Sequence, residues 1–165
     1  MIYHNNAGYT LIELIVIISI ISFLSFVTVI KIPSLSSAKV NITKDYIVMD
    51  IRLVQNLSLS QQTIYGIKVD AAQENYTVYK GNNNFDNIIT NPSTSTTFSV
   101  NIEDLFPGIT MISTDLAGNT LQFDKKGIPA DTSGAINTTK NIVLSNSSTG
   151  ETATISITPY TGLIQ

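Results

Sequence analysis

Hydrophobic and polar positions divide this chain into three regimes. From Leu14 to Ile30 there are 17 residues without a formal charge, mostly Ile, Val, Leu and Phe. A helix of that length spans about 26 Å, and one starting at Tyr9 reaches about 33 Å, which brackets the roughly 30 Å hydrocarbon core of a bilayer. Pro33 then ends or kinks the helix, because it lacks an N–H and clashes with the preceding turn. In the second regime apolar residues recur at Leu35, Ala38, Ile42, Tyr46, Met49, Leu53 and Leu57, in steps of 3, 4, 4, 3, 4 and 4. This spacing predicts an amphipathic helix of about 25 residues, with Tyr46 and Met49 in its core stripe and Lys39, Lys44, Asp45, Asp50 and Arg52 on a solvated face.

From Ile64 the period drops to two. Ile64–Val69 and Tyr76–Lys80 predict a hairpin across the turn Asp70–Asn75. Gly81–Ser95, rich in Asn, Ser and Thr, predicts an exposed loop. Further strands are expected over Thr97–Ile102, Ile109–Ser113 and Leu121–Phe123. Lys125–Thr139 is expected to be a loop, followed by a closing hairpin of Asn141–Ser145 and Thr152–Thr158. About seven strands following one long helix imply an α+β fold with an antiparallel head rather than alternating βαβ units.

One residue breaks the first pattern. Glu13 is a lone carboxylate just inside one end of a membrane-length apolar helix. A carboxylate in hydrocarbon either protonates or finds a cation, so it marks a function with a partner. The first turn of a helix lowers its cost through unpaired N–H groups and the dipole. The alternative is an ordinary signal anchor with Glu13 in the headgroup layer. Ser19, Ser22, Ser25 and Thr28 recur every third residue, a stripe that permits close helix approach in lipid with bonding back to the helix's own carbonyls.

Composition narrows the function classes. The 165 residues carry a net charge of −3, unevenly placed: the first 60 sum to +1 and the remaining 105 to −4. An acidic head argues against a strong electrostatic footprint for nucleic acid or anionic membrane. There are no cysteines, hence no disulfides, thiolate metal site or Cys nucleophile. The lone histidine is His4. Glu103–Asp104 and Asp124 with Asp131 lack the spacing of a Ca²⁺ loop and read as solvated turn carboxylates. No Gly-rich phosphate loop is present. The sequence therefore predicts neither enzyme nor cofactor.

The combination of a short polar leader ending in Gly8, an aromatic Tyr9, Thr10-Leu11-Ile12-Glu13-Leu14 and an apolar helix resembles the class III signal of type IV prepilins and type II secretion pseudopilins. The resemblance implies cleavage by a prepilin peptidase between Gly8 and Tyr9, N-methylation of Tyr9, and pairing of Glu13 with the N-terminal amine of a neighbouring subunit during assembly. A secretory signal peptide is the competing reading. Against it, the apolar run is longer than an h-region and no Ala-x-Ala-like site follows Ile30. The leader departs from the family in carrying no Lys or Arg.

A second resemblance covers the head. Asp50–Ser60, Tyr65-Gly66-Ile67, Tyr76–Tyr79, Phe123–Pro129 and Ile155–Gly162 look like the GspH/FimT-type minor pseudopilin domain. They imply two small sheets packed on the C-terminal half of the long helix. Leu163 stands where many relatives carry Arg in a basic tail, which weakens any inference of DNA binding there. Together these imply a leader at 1–8, an assembly and transmembrane helix at 9–32, its amphipathic half at 33–60 and a β-rich head at 61–165. The expected protein is a minor pseudopilin or pilin subunit of a type II secretion pseudopilus or type IV pilus. It would sit in the cytoplasmic membrane with its head outside the cytoplasm, and its partners would be prepilin peptidase and other pilin subunits. The alternative is a membrane-anchored binding module that does not polymerise, for DNA uptake or surface adhesion.

Overall fold

The computed structural model describes residues 10–29, 35–81 and 87–165, and the side chains of 10–25 and 37–81 and 87–165 among them. The chain forms two compact units, residues 1–34 and 35–165. Pro33, and with it the expected kink, lies outside the described residues, as do Gly8 and Tyr9.

The first unit contributes helix α1, Leu11–Val29. The second opens with helix α2, Leu35–Gln61, and continues as nine strands among its described residues. These are β1 (Tyr65–Asp70), β2 (Asn75–Lys80), β3 (Ser99–Asn101), β4 (Ile109–Thr114), β5 (Thr120–Phe123), β6 (Pro129–Asp131), β7 (Gly134–Ala135), β8 (Lys140–Asn146) and β9 (Thr152–Ile157), with a short helix α3 at Ile102–Leu105. They form a six-stranded sheet, ordered β3-β2-β1-β5-β6-β7, and a three-stranded sheet, ordered β4-β8-β9, antiparallel throughout. The fold is α+β, as the order of periods implied.

Both sheets turn their apolar faces to α2. Ile67, Val69, Tyr76, Val78, Leu121 and Phe123 come from the larger sheet, and Ile109, Ile142, Leu144, Ile155 and Ile157 from the smaller. The face that α2 offers them is not the expected one. Val40, Thr43, Ile47, Val48, Ile51, Val54 and Ser58 are buried, whereas Ile42 is 58% and Met49 67% exposed and Tyr46 stands at the surface. Leu53 and Leu57 reach only the margin of the core. The reason lies in two hydroxyls. Thr43 Oγ1 donates to Lys39 O at 2.9 Å and Ser58 Oγ to Gln55 O at 2.6 Å, so each is buried with its donor satisfied by its own helix. Counting both as polar splits the true core stripe and favours its neighbour. Ile51→Ala is accordingly expected to cost about 2–5 kcal/mol of stability. Met49→Ser should stay within about 0.5 kcal/mol. Thermal melts of the full chain in detergent check the contrast.

Three other departures are local. The strand expected over Thr97–Ile102 stops at Asn101 because Asn101 Oδ1 caps α3, accepting from Asp104 N at 3.1 Å. The expected loop Lys125–Thr139 contains β6 and β7, which are too short to show a period. Within Gly81–Ser95, Ile88 bridges Tyr79 and Thr90 bridges Thr97, so the described part of that loop lies along the edge of β2. The tail also pairs: Ile164 bridges Ile157 and is buried.

One ionisable group sits at the joint between α2 and the larger sheet. The half-buried carboxyl of Asp50 accepts from Tyr76 Oη. Burial pushes the Asp50 carboxyl above the ordinary carboxylate range, against the lowering effect of that hydrogen bond. Burial and then Asp50's charge push the Tyr76 phenol far up. A carboxyl raised on folding binds its proton more tightly in the folded chain. Its contribution to stability is therefore fully present below the unfolded value, about 3.9, and is lost as pH rises through the folded value. Asp50→Asn removes this dependence while keeping an oxygen for Tyr76. The wild type should thus gain melting temperature relative to Asp50→Asn as pH falls from 7 towards 4. A difference constant over that range would contradict the assignment.

Candidate functional site at the start of the N-terminal helix

The candidate chemistry is concentrated in the first turn of α1. Thr10 precedes the helix and caps it: its Oγ1 accepts from Glu13 N at 3.3 Å, while its carbonyl accepts from Glu13 N at 3.1 Å and Leu14 N at 3.2 Å. Glu13 is the acidic residue of the first turn. Thr10-Leu11-Ile12-Glu13 thus follows the Ser/Thr-x-x-Glu pattern of a capping box, with the hydroxyl half of the box formed. The signal for the cap in the sequence is the three-residue spacing of Thr10 and Glu13. The cap fixes where the helix begins, and so sets Glu13 one turn from the end that carries the positive pole of the dipole.

Beyond Glu13 the helix presents only apolar and small hydroxyl side chains. Every described side chain from Leu11 to Ser25 is exposed, among them Leu11 at 78% and Phe23 at 69%. The serines do not break the apolar surface. Ser19 Oγ donates to Ile15 O at 2.7 Å, Ser22 Oγ to Ile18 O at 2.7 Å and Ser25 Oγ to Ile21 O at 2.8 Å, so each hydroxyl is turned back on its own helix. An apolar surface of this extent needs a cover, either lipid or other chains. Among the described residues alone, no helix is long and apolar enough to cross a membrane. Leu11–Ser25 spans about 22 Å. The helix backbone continues to Val29, and the sequence stays apolar to Ile30.

The head carboxylates weighed as ligands serve local structure. Glu103 Oε2 accepts from Gly108 N, Asp124 Oδ1 from Lys126 N and Ile128 N, and Asp131 from Ala117 N and Ser133 N. Among the described residues no three His, Cys, Asp or Glu side chains are grouped to hold a metal ion.

Comparison with known proteins adds two findings. A family model described as the prokaryotic N-terminal methylation motif matches residues 3–29, the span that contains Gly8, Tyr9 and Glu13. Among solved structures, the minor pseudopilin EpsH from the type 2 secretion system of Vibrio cholerae is similar, with a TM-score of 0.57 at 11% identity over 77% of this chain and 94% of that one. The type IV minor pilin FimU of Pseudomonas aeruginosa is similar with a TM-score of 0.52 at 13% identity over 78% of this chain and 87% of that one. At such identities the likeness is one of fold. No curated protein matches the sequence.

Proposed function

We propose that this chain, type IV pilin-like in its N-terminal motif and in the fold of its head, is a minor pseudopilin or minor pilin subunit with a structural rather than an enzymatic role. A prepilin peptidase cuts between Gly8 and Tyr9, and the new Tyr9 amine is methylated. The subunit waits in the cytoplasmic membrane on α1, with its head outside the cytoplasm and Pro33 ending or kinking the helix. It then joins other pilin or pseudopilin subunits, with Glu13 paired to the amine of a neighbour. That pair satisfies a carboxylate submerged in an apolar surface and penalises slipped registers, because a shifted copy leaves both charges unmatched.

The observation that carries this reading is the methylation motif over residues 3–29 leading into an exposed apolar helix whose first turn holds one carboxylate. The test is where the chain travels. Produced with its own assembly machinery, it should be recovered with pilins or pseudopilins in the sheared filament fraction. Inactivating the assembly ATPase should return it to the membrane. Retention in the membrane in both cells would contradict the subunit role and leave an anchored binding module.

A further inference from the structure

A groove of about 300 Å³ lies where α2, α3 and the segment leading into β3 meet. That is the lower end of the range for small-ligand sites, about 300–1,000 Å³. Its aromatic residue is Tyr46, which the spacing of α2 placed in the buried stripe and which instead stands 36% exposed. The Phe106 ring meets it edge-on, with centroids 5.5 Å apart and planes at 66°, and so holds the Tyr46 ring in place. Leu105, 52% exposed, lines the same groove.

Most of the remaining wall is hydroxyl and amide, from Asn91, Thr94, Thr96, Thr97, Ser99 and Asn101. Backbone bonds fix this segment: Val78 N of β2 donates to Phe98 O at 2.9 Å and Asn91 N to Thr96 O at 2.8 Å. Some of the polar groups are used locally. The Thr94 and Thr96 hydroxyls bond each other at 2.8 Å, Asn91 Oδ1 accepts from Ser93 N, and Asn101 Oδ1 accepts from Asp104 N. The amide N–H groups of Asn91 and Asn101, the hydroxyls of Thr97 and Ser99 and the carboxylate of Asp104 have no partner among the described residues. Donors and acceptors are therefore both on offer around one ring.

Charge and polarity select the ligand. Asp104 is the one carboxylate of the groove, and among the described residues no Lys or Arg stands in its wall. Asp45 adjoins Tyr46 on α2, Asp50 follows one turn on, and residues 61–165 carry five lysines against nine carboxylates. Phosphate polymers and acidic glycans are repelled from such a place. The centre of a protein interface is rich in aromatic and apolar groups and poor in serine, the reverse of this wall. We propose that the groove binds a neutral carbohydrate, with one sugar ring laid on Tyr46 and Leu105 and its hydroxyls shared among Asp104, Thr97, Ser99 and the two amides. The C–H face of a sugar meets the negative face of the Tyr46 ring, while Asp104 accepts from hydroxyls and the amides donate to them. This role of the head is separate from assembly and is read on chains outside any filament, so the two can fail separately.

The test is saturation-transfer NMR on the full-length chain in a detergent without a sugar headgroup. The probes are the neutral disaccharides cellobiose, maltose, lactose and chitobiose, beside digalacturonate, a thymidine oligonucleotide and a lysine-rich peptide. At least one neutral disaccharide is expected to bind, and the charged probes are not. Tyr46→Ala should abolish that binding, and Asp104→Ala should weaken it about tenfold. Thr97→Val keeps the side-chain shape at an exposed position and should weaken it about fivefold, with the melting temperature of the head unchanged. Arg52→Ala, outside the groove, should leave it as in the wild type. Silence from all four neutral disaccharides would overturn the proposal, as would binding that neither Asp104→Ala nor Thr97→Val weakens. So would a groove that takes the oligonucleotide or the peptide in place of sugar and loses it in Tyr46→Ala.

Discussion

Replacing Glu13 by alanine should leave the chain inserted in the membrane and its head melting at the wild-type temperature, yet remove it from filaments. Breaking a buried ion pair by deleting one partner costs about 3–5 kcal/mol, because the other charge is left unmatched. That corresponds to a loss of about two to three and a half orders of magnitude in incorporation, since each 1.4 kcal/mol is about tenfold. The structure supplies the competing account. Glu13 stands three residues after the capping threonine, and a carboxylate in a first turn stabilises a helix by only about 0.3–1 kcal/mol. Glu13→Gln separates the two, because glutamine serves a capping box as glutamate does but carries no charge for an amine. If charge pairing drives assembly, Glu13→Gln fails with Glu13→Ala. Normal incorporation of Glu13→Gln would reduce Glu13 to a helix cap.

The second large effect concerns the head. Gly66 lies in β1, between Tyr79 of β2 and Gln122 of β5. A Cβ at that position would lie 2.4 Å from Tyr79 Oη, 2.5 Å from Tyr79 Cζ and 2.9 Å from Leu121 O. Tyr79 is 1% exposed and packed in place, and the Leu121 carbonyl belongs to the backbone of a paired strand, so neither can swing aside. Overpacking of this kind costs about 3 kcal/mol. For a head of this size that is a fall of about 10 °C in melting temperature. The measurement is a thermal melt of full-length Gly66→Ala in detergent beside the wild type. A shift under 2 °C would mean that the sheet yields at β1, contrary to the packing described. Such a variant should also accumulate poorly, for a reason unrelated to the N-terminal motif.

What could be read from the residues depended on how local the signal was. The Gly8–Leu14 pattern and the apolar run are linear motifs, legible without any tertiary contact. The two hairpins β1–β2 and β8–β9 were legible because alternation and turn residues lie close in sequence. The core face of α2 was not. Thr43 and Ser58 are polar in composition but buried by bonds to their own helix, and only packing against two sheets decides between two apolar stripes. The same limit hid β6 and β7, since β6 pairs with β5 and β7 with β6, and strands of three and two residues are too short to show a period. At the candidate site, Thr10 was within reach through its spacing to Glu13. Arg52 is exposed, as its place off the apolar stripe implies, but its position beside the tail follows only from the pairing of Ile164 with β9.

The most direct test of the subunit reading is the mass of the N-terminal peptide of the mature chain, taken from cells that hold an active prepilin peptidase. The account predicts that residues 1–8 are gone and that the peptide begins at Tyr9 with one added methyl group, and that both changes disappear when the peptidase is inactivated. A mature chain that still begins at Met1, or one cut beyond Ile30, would contradict it.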